Sequence, residues 1–149
     1  MLKPDSGNVI WKNEIIEING PKHARELGIG MVFQHFSLFE ALTVLENISL
    51  ALPEKNQSDD LEKRIKEISN EYGLQIDPKS RVFNLSVGEQ QRVEIIRCLL
   101  QNPELLIMDE PTSVLTPQEI SKLFEVLDKL SKSGCSILFI THKLEEVRS

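Results

Sequence analysis

Leu85-Ser-Val-Gly-Glu-Gln-Gln-Arg92 and Leu105-Leu-Ile-Met-Asp-Glu-Pro-Thr112 are the two stretches that decide the fold of this 149-residue chain. The second stretch is a short apolar run ending in two carboxylates, which predicts a buried strand that runs into an acidic loop. In the first, Ser86 and Glu89 are spaced as a capping box, which predicts the start of a helix. Strand–helix–strand order from 105 to 141 then predicts a parallel pair of strands with a right-handed crossover.

The composition is that of an ordinary globular domain. Hydrophobic residues make up 40% of the chain and charged residues 27%, and no apolar run approaches the ~18 residues that span a bilayer. The net charge of −6 argues against a general nucleic-acid binder, which would carry a basic patch. Cys98 and Cys135 fall in apolar patterns, so we expect buried thiols rather than a disulfide or a metal site.

Further elements follow from local patterns. Alternating polarity predicts a β-hairpin over residues 8–18, and the apolar run 28–33 suits a buried strand. Thr43 and Glu46 form another capping-box pattern, and Thr116, Pro117 and Glu119 a third with proline at the first helical position. Amphipathic spacing predicts helices from 61 to 73 and from 86 to about 102, and residues 136–141 form the next strand.

Asp109 and Glu110 are the first candidates for chemistry because they follow a buried strand. In open α/β sheets, ligands bind at the carboxyl ends of the strands. Asp109 is placed to hold Mg²⁺ through water, and Glu110 is placed to polarise an attacking water. A solvated acidic turn would explain the same pair if it stood without the surrounding motifs.

Ser86-Val-Gly-Glu89 has two interpretations that can coexist. The capping box explains the serine and the glutamate structurally. A helix N-terminus also carries partial positive charge and free N–H groups that attract phosphate, and Gly88 would let the backbone approach closely.

Gln34 and His142 each follow a predicted strand in the same way as Glu110 follows residues 105–108. The amide of Gln34 can touch both a metal and an attacking water, and the imidazole of His142 can hydrogen-bond a terminal phosphate. Taken singly, each is more typical of a polar strand end.

Together these segments closely resemble the ATP-binding subunit of ABC transporters. The order matches across essentially the whole chain: Gln34 as the Q-loop, Leu85–Glu89 as the signature, Leu105–Glu110 as the Walker B strand and His142 as the switch histidine. The resemblance implies an α/β fold of the P-loop NTPase (RecA-like) class, here incomplete, with an α-helical subdomain that carries the signature. It divides residues 1–149 of this partial domain into 1–34, 35–103 and 104–149.

Finer details are similar to one branch of the family, the first nucleotide-binding half of tandem ATPases that import nucleosides and simple sugars. The segments that carry this likeness are Gly28–Phe39, Thr43–Asn47, Val114–Gln118, and the Val87/Glu89 variant of the signature. The nucleoside branch is the preferred match.

The resemblance implies two sets of site residues. The first acts on this subunit's nucleotide, with Glu110 as the catalytic carboxylate, Asp109 and Gln34 at Mg²⁺, Gln34 also sensing water, and His142 at the γ-phosphate. The second contacts ATP held by the opposing subunit and comprises Ser86, Val87, Gly88, Glu89 and Ser113. Thr116 stands where most relatives carry Asp, which puts the usual cross-dimer contact of that position in doubt.

The resemblance also implies ATP and Mg²⁺ as cofactors in the intact protein. The implied partners are transmembrane permease subunits, a second nucleotide-binding domain and, indirectly, a solute-binding protein, with no nucleic acid. The implied location is peripheral, on the cytoplasmic face of the cell membrane. Two alternatives remain: a non-catalytic partner that completes another subunit's ATP site through its signature, and a soluble ABC ATPase acting in DNA repair or on the ribosome.

One motif of the family does not occur. No G-x-x-x-x-G-K-[ST] phosphate loop is found in the 149 residues, so we expect negligible ATP affinity and no hydrolysis by these residues alone. In the family sheet the phosphate-loop strand lies beside the strand equivalent to 136–141. We therefore expect an unpaired apolar edge on that strand, and a chain that is a fragment of a longer product or a truncated remnant.

Overall fold

A computed structural model of the chain describes residues 6–53 and 60–143. The predicted regions 1–34, 35–103 and 104–149 include residues 1–5, 54–59 and 144–149, which lie outside the described residues. The division into these three regions stays a prediction.

The centre of the fold is a three-stranded parallel sheet. Strands β3 (Ile29–Val32), β4 (Leu105–Asp109) and β5 (Ser136–Ile140) lie in the order β3-β4-β5. Helix α5 (Pro117–Lys132) connects β4 to β5. The parallel pair expected from the strand–helix–strand pattern is therefore confirmed, and β4 is the strand that is paired along both edges.

A small antiparallel ribbon precedes the sheet. Strands β1 (Val9–Trp11) and β2 (Glu14–Ile16) pair as the predicted hairpin. Lys12 and Asn13 form its turn with positive φ values of 50° and 66°, as in the type I′ turn of two-residue hairpins. Helix α1 (Pro21–Glu26) then leads into β3, with proline in its first turn.

Three helices pack on one another, and one of them also packs against β3. They are α2 (Val44–Ala51), α3 (Leu61–Tyr72) and α4 (Val87–Leu99), of which α4 contacts β3. Helix α3 ends at Gly73, whose φ of 72° is left-handed and suits glycine at a helix end. The predicted helices are confirmed, although α4 ends at Leu99, three residues earlier than the apolar pattern suggested.

Three helices begin with the capping box that the sequence predicted. The side chains of Thr43, Ser86 and Thr116 accept hydrogen bonds from the third helical residue, and the glutamate at that position bonds back to the cap. Each box satisfies backbone donors that a helix leaves free at its N-terminus. Local sequence therefore determines where α2, α4 and α5 begin.

The hydrophobic core lies between the sheet and the helices. The largest contributions come from α4 and α5, with smaller ones from β4, α2 and α3. The core includes Leu106, Met108, Val93, Ile96, Leu99, Leu123, Val126 and Leu127. Cys98 and Cys135 are free and buried, as expected. Burial raises the pKa of the Cys98 thiol to about 11, so this thiol is unreactive at neutral pH.

Strand β5 is an edge strand in the described part of the sheet. It pairs with β4 on one side, and its apolar side chains Leu138 and Ile140 are 51% and 43% exposed. This agrees with the expected unpaired apolar edge.

None of the helices in residues 6–53 and 60–143 has the length and apolar character needed to cross a membrane.

We predict that Leu106→Ala lowers the free energy of unfolding by about 2–5 kcal/mol, because it leaves a cavity in the central strand of the core. Leu106 is fully buried. Leu50→Ala is the matched control, since Leu50 is 64% exposed and should change stability by less than about 0.5 kcal/mol. Urea unfolding of both variants measures the difference, and equal losses would contradict the assignment of the core.

Candidate functional site

The candidate site lies where the three parallel strands end. Gln34 comes two residues after β3, Glu110 directly follows β4, and His142 comes two residues after β5. Gln34 Nε2 donates to Glu110 Oε2 at 3.2 Å, and His142 Nδ1 lies 2.9 Å from Glu110 Oε1. The structure therefore brings these three sequence-predicted side chains into one hydrogen-bonded group centred on the Glu110 carboxylate.

The backbone of Glu110 is in an unusual conformation. Its φ of 46° lies in the left-handed region, which costs roughly 1–2 kcal/mol for a residue with a Cβ. The Glu110 N–H donates to the Ile140 carbonyl at 2.9 Å, and the Glu110 carbonyl accepts from Ser113 N at 3.2 Å. Pro111 follows and disfavours the right-handed helical region for Glu110. Strain of this kind is concentrated at functional sites.

Asp109 is the last residue of β4 and is half-buried, opposite Ile140 in the strand register. With the Gln34 amide and the Glu110 carboxylate it provides oxygen donors at one edge of the sheet. No group of three or more His, Cys, Asp or Glu able to hold a metal occurs in the described ranges. The oxygens of Asp109, Glu110 and Gln34 nevertheless suit Mg²⁺, which binds one or two carboxylates and completes its shell with water and substrate phosphates.

The predicted signature residues lie elsewhere, at the N-terminus of α4. Ser86 Oγ donates to Glu89 Oε2 at 2.8 Å, and the Glu89 N–H donates back to Ser86 Oγ at 3.3 Å. The backbone hydrogen bond from Ser86 holds the pKa of Glu89 below its usual value. Within the described chain, no hydrogen bond or ion pair joins residues 86–89 to Gln34, Glu110 or His142.

Gly88 has a packing requirement within the chain itself. A Cβ at this position would lie 1.9 Å from Glu119 Oε1. The other oxygen of Glu119 accepts from the N–H and the hydroxyl of Thr116, both at 2.9 Å, so the carboxyl cannot move without opening the cap of α5. The close approach of a phosphate to Gly88 stays a prediction.

Ser113 and Thr116 lie on the loop between Glu110 and α5. Ser113 is exposed, and its N–H bonds the Glu110 carbonyl. Thr116 is the N-cap of α5. Threonine and aspartate both perform this capping role, so the expected exchange of Asp for Thr at this position is compatible with the start of α5.

Sequence reasoning passed over two buried polar residues on α4. Gln91 hydrogen-bonds the Pro111 carbonyl, and Glu94 hydrogen-bonds the Ser37 N–H. The available signal was periodicity, because positions 91 and 94 fall on the helix face that also presents Cys98 to the core. Polar residues at core positions indicate partners elsewhere in the fold.

The chain matches the family described as ABC transporter over residues 1–113. The nucleoside import ATP-binding protein NupA of Lactococcus lactis is 46% identical over 153 residues, which cover 100% of this chain and 30% of that protein. The glucose import ATP-binding protein TsgD13 of Haloferax volcanii is 40% identical over 181 residues, covering 100% of this chain and 33% of that protein. The chain therefore spans about a third of the length of these relatives.

A solved structure has the same architecture. The ATP-binding cassette MJ0796, in a dimeric post-hydrolysis state bound to ADP and Pi, superposes with a TM-score of 0.79 at 30% identity. The match covers 98% of this chain and 67% of that one. The predicted fold class, an incomplete P-loop NTPase sheet with helices, is confirmed by this likeness.

We predict that Gly88→Ala lowers the free energy of unfolding by about 1–3 kcal/mol, because the added methyl group displaces the Glu119 carboxyl from its cap. In a Glu119→Ala background the obstacle is gone, and the same substitution should be neutral or stabilising because alanine is a better helix former. Urea unfolding of the four proteins gives the coupling energy. A Gly88→Ala cost that is equal in both backgrounds would contradict the contact.

Proposed function

The chain belongs to the ABC transporter family, and on that premise we propose that it is part of the ATP-binding and ATP-hydrolysing subunit of an importer for nucleosides or simple sugars. The observation that carries the proposal is the Gln34–Glu110–His142 group at the ends of three parallel strands. Relatives named for nucleoside and glucose import support the solute class.

In the proposed reaction, the oxygen of a water molecule bonds to the γ-phosphorus of ATP while the bond from that phosphorus to the β–γ bridging oxygen breaks, so that ADP leaves and the water oxygen becomes part of inorganic phosphate. The Glu110 carboxylate accepts a hydrogen bond from this water and orients it, and the Gln34 amide holds the other side of the same carboxylate. The His142 side chain is 70% exposed, and turning its ring toward a phosphate oxygen would require its contact with Glu110 Oε1 to break. Positioning and charge stabilisation provide most of the catalysis in phosphoryl transfer.

Asp109 and Gln34 are the residues proposed to hold Mg²⁺. When bound, the ion would neutralise charge on the phosphates. The contribution of the chain is to present the Asp109 carboxylate from β4, a strand whose position is fixed by pairing on both sides, and the Gln34 amide from the loop after β3.

A second set of residues is proposed to act on ATP held by an opposing nucleotide-binding domain. Ser86, Val87, Gly88 and Glu89 begin α4, and Ser113 lies exposed after Glu110. The N-terminus of α4 carries partial positive charge that favours phosphate. The Ser86 hydroxyl already donates to Glu89, so contact with a phosphate would need this hydroxyl to rotate.

The proposed partners are transmembrane permease subunits, a second nucleotide-binding domain and, through the permease, a solute-binding protein. The proposed location is the cytoplasmic face of the membrane. Support comes from the names of the relatives, which are import ATP-binding proteins.

A first test concerns the 149 residues by themselves. They contain no G-x-x-x-x-G-K-[ST] loop, whose backbone N–H groups and lysine would cradle the phosphates. We predict that isothermal titration with Mg-ATP gives a Kd weaker than about 1 mM, equivalent to about −4 kcal/mol. A micromolar Kd would contradict this prediction, because it would mean that the 149 residues bind the phosphates of ATP without that loop.

A second test uses a chimera. Residues 1–149 replace the matching segment of NupA, and nucleoside uptake is measured in cells that lack native NupA. We predict uptake by the chimera, and a loss of about 100-fold or more in ATP turnover when Glu110→Gln removes the carboxylate. Glutamine keeps the size of the side chain, so folding should be unaffected.

Glu125→Gln is the matched control for the chimera, because it removes a carboxylate from α5 away from the site. Its turnover should equal that of the unaltered chimera. A folded chimera that hydrolyses ATP equally well with Glu110→Gln would overturn the proposed role of Glu110. A folded chimera that hydrolyses ATP without nucleoside uptake would overturn the proposed coupling of these residues to a nucleoside permease.

A further inference from the structure

Helix α4 carries two buried polar side chains that reach different loops of the candidate site. Gln91 and Glu94 are 3% and 2% exposed, and a separation of three residues places them on the same face of the helix. Side chains of these types are seldom buried unless they are hydrogen-bonded. Each of them makes its hydrogen bond with the backbone of a loop that carries a candidate catalytic group.

Gln91 holds the loop after β4. Its Nε2 donates to the Pro111 carbonyl at 2.6 Å. Pro111 directly follows Glu110, whose left-handed φ of 46° is unfavourable unless neighbouring contacts maintain it. Fixing the next carbonyl opposes rotation of this turn. Gln91 is therefore well placed to keep the Glu110 side chain directed at Gln34 and His142.

Glu94 holds the loop after β3. Its Oε1 accepts a hydrogen bond from the Ser37 N–H at 3.0 Å, and its Oε2 pairs with Arg97 on the same helix. Ser37 lies three residues after Gln34. Asn47 of α2 accepts from the Phe39 N–H at 2.7 Å, so the segment that follows Gln34 is anchored at two backbone positions. Burial raises the pKa of Glu94, although Arg97 and the Ser37 N–H favour its charged form.

We propose that Gln91 and Glu94 are positioning residues that together set the separation between Gln34 and Glu110. The two loops follow different strands and are distant in sequence, but both are held by one rigid helix. Gln91 and Glu94 are three residues apart, so they are separated by about 4.5 Å along the axis of α4. Because each of them bonds one loop, this fixed separation constrains the distance between the two loops. That this positioning matters for ATP hydrolysis rests on the proposed function. That Gln91 and Glu94 hold the two loops rests only on their hydrogen bonds.

The test uses NMR of the ¹⁵N-labelled 149-residue chain without nucleotide. The side-chain amide signals of Gln34 are assigned from their loss in Gln34→Ala. We expect Gln91→Met and Glu94→Met, which keep volume but lose the loop hydrogen bonds, to shift these signals. We also expect exchange of the Ser37 amide to become about 10- to 100-fold faster in Glu94→Met, as for loss of one hydrogen bond to a charged group.

Two further variants separate positioning from a general effect on structure. Gln101→Met removes a local hydrogen bond from Gln101 Nε2 to the Arg97 carbonyl, at the far end of α4, and should leave the Gln34 signals in place. Glu94→Gln keeps an oxygen acceptor and should restore protection of Ser37. If Glu94→Met fails to fold, the Gln34 signals of Gln91→Met and the exchange rate of the Ser37 amide in Glu94→Gln still test the proposal.

Unchanged Gln34 signals in folded Gln91→Met, or the same shifts in Gln101→Met, would overturn the proposal. Because no nucleotide is present, this result can be read whether or not the chimera hydrolyses ATP. Failure of the proposed function and failure of the positioning role are therefore distinguishable.

Discussion

Pairing of β4 along both of its edges is the constraint on which the site depends. Leu105–Asp109 bonds β3 on one side and β5 on the other, and Leu106 and Met108 are fully buried. Parallel strands end on the same side of a sheet, so the residues that follow them meet there. The central strand therefore places Glu110 between Gln34 and His142.

Helix α4 has more than one function in this fold. Its apolar residues pack in the core, its N-terminus carries the candidate signature, and Gln91 and Glu94 bond the loops beside the site. Such a helix is a compromise, because a buried polar side chain stabilises little beyond the cost of its own desolvation. What these side chains provide is a fixed position for two loops, since both loops bond one helix that is itself held by the core.

The left-handed backbone at Glu110 illustrates the same compromise. A glycine would adopt this φ without strain, but glycine has no carboxylate. The chain places a glutamate there, and three hydrogen bonds maintain the turn: the Glu110 N–H donates to the Ile140 carbonyl, the Ser113 N–H donates to the Glu110 carbonyl, and Gln91 donates to the Pro111 carbonyl. Strain that is maintained in this way is expected where chemistry, rather than stability, determines the residue.

The sequence by itself determined the elements and their starts. Capping boxes at Thr43, Ser86 and Thr116 and the apolar periods of α4 and α5 depend on residues a few positions apart, so they can be read from local patterns. The order of strand, helix and strand also predicted the parallel pairing. The ends of three strands indicated which polar residues to consider, and their proposed roles in ATP hydrolysis stay predictions.

Only the tertiary structure decided how those residues are held. The bonds from Gln91 to Pro111 and from Ser37 to Glu94 join residues 20 and 57 positions apart, and Gly88 meets Glu119 of a different helix. The left-handed turn at Glu110 is also held by contacts with two other segments, β5 through Ile140 and α4 through Gln91. Contacts of this kind have no period and no fixed spacing, so no local pattern in the sequence specifies them, and they form only when packing of the sheet and helices brings the partners together.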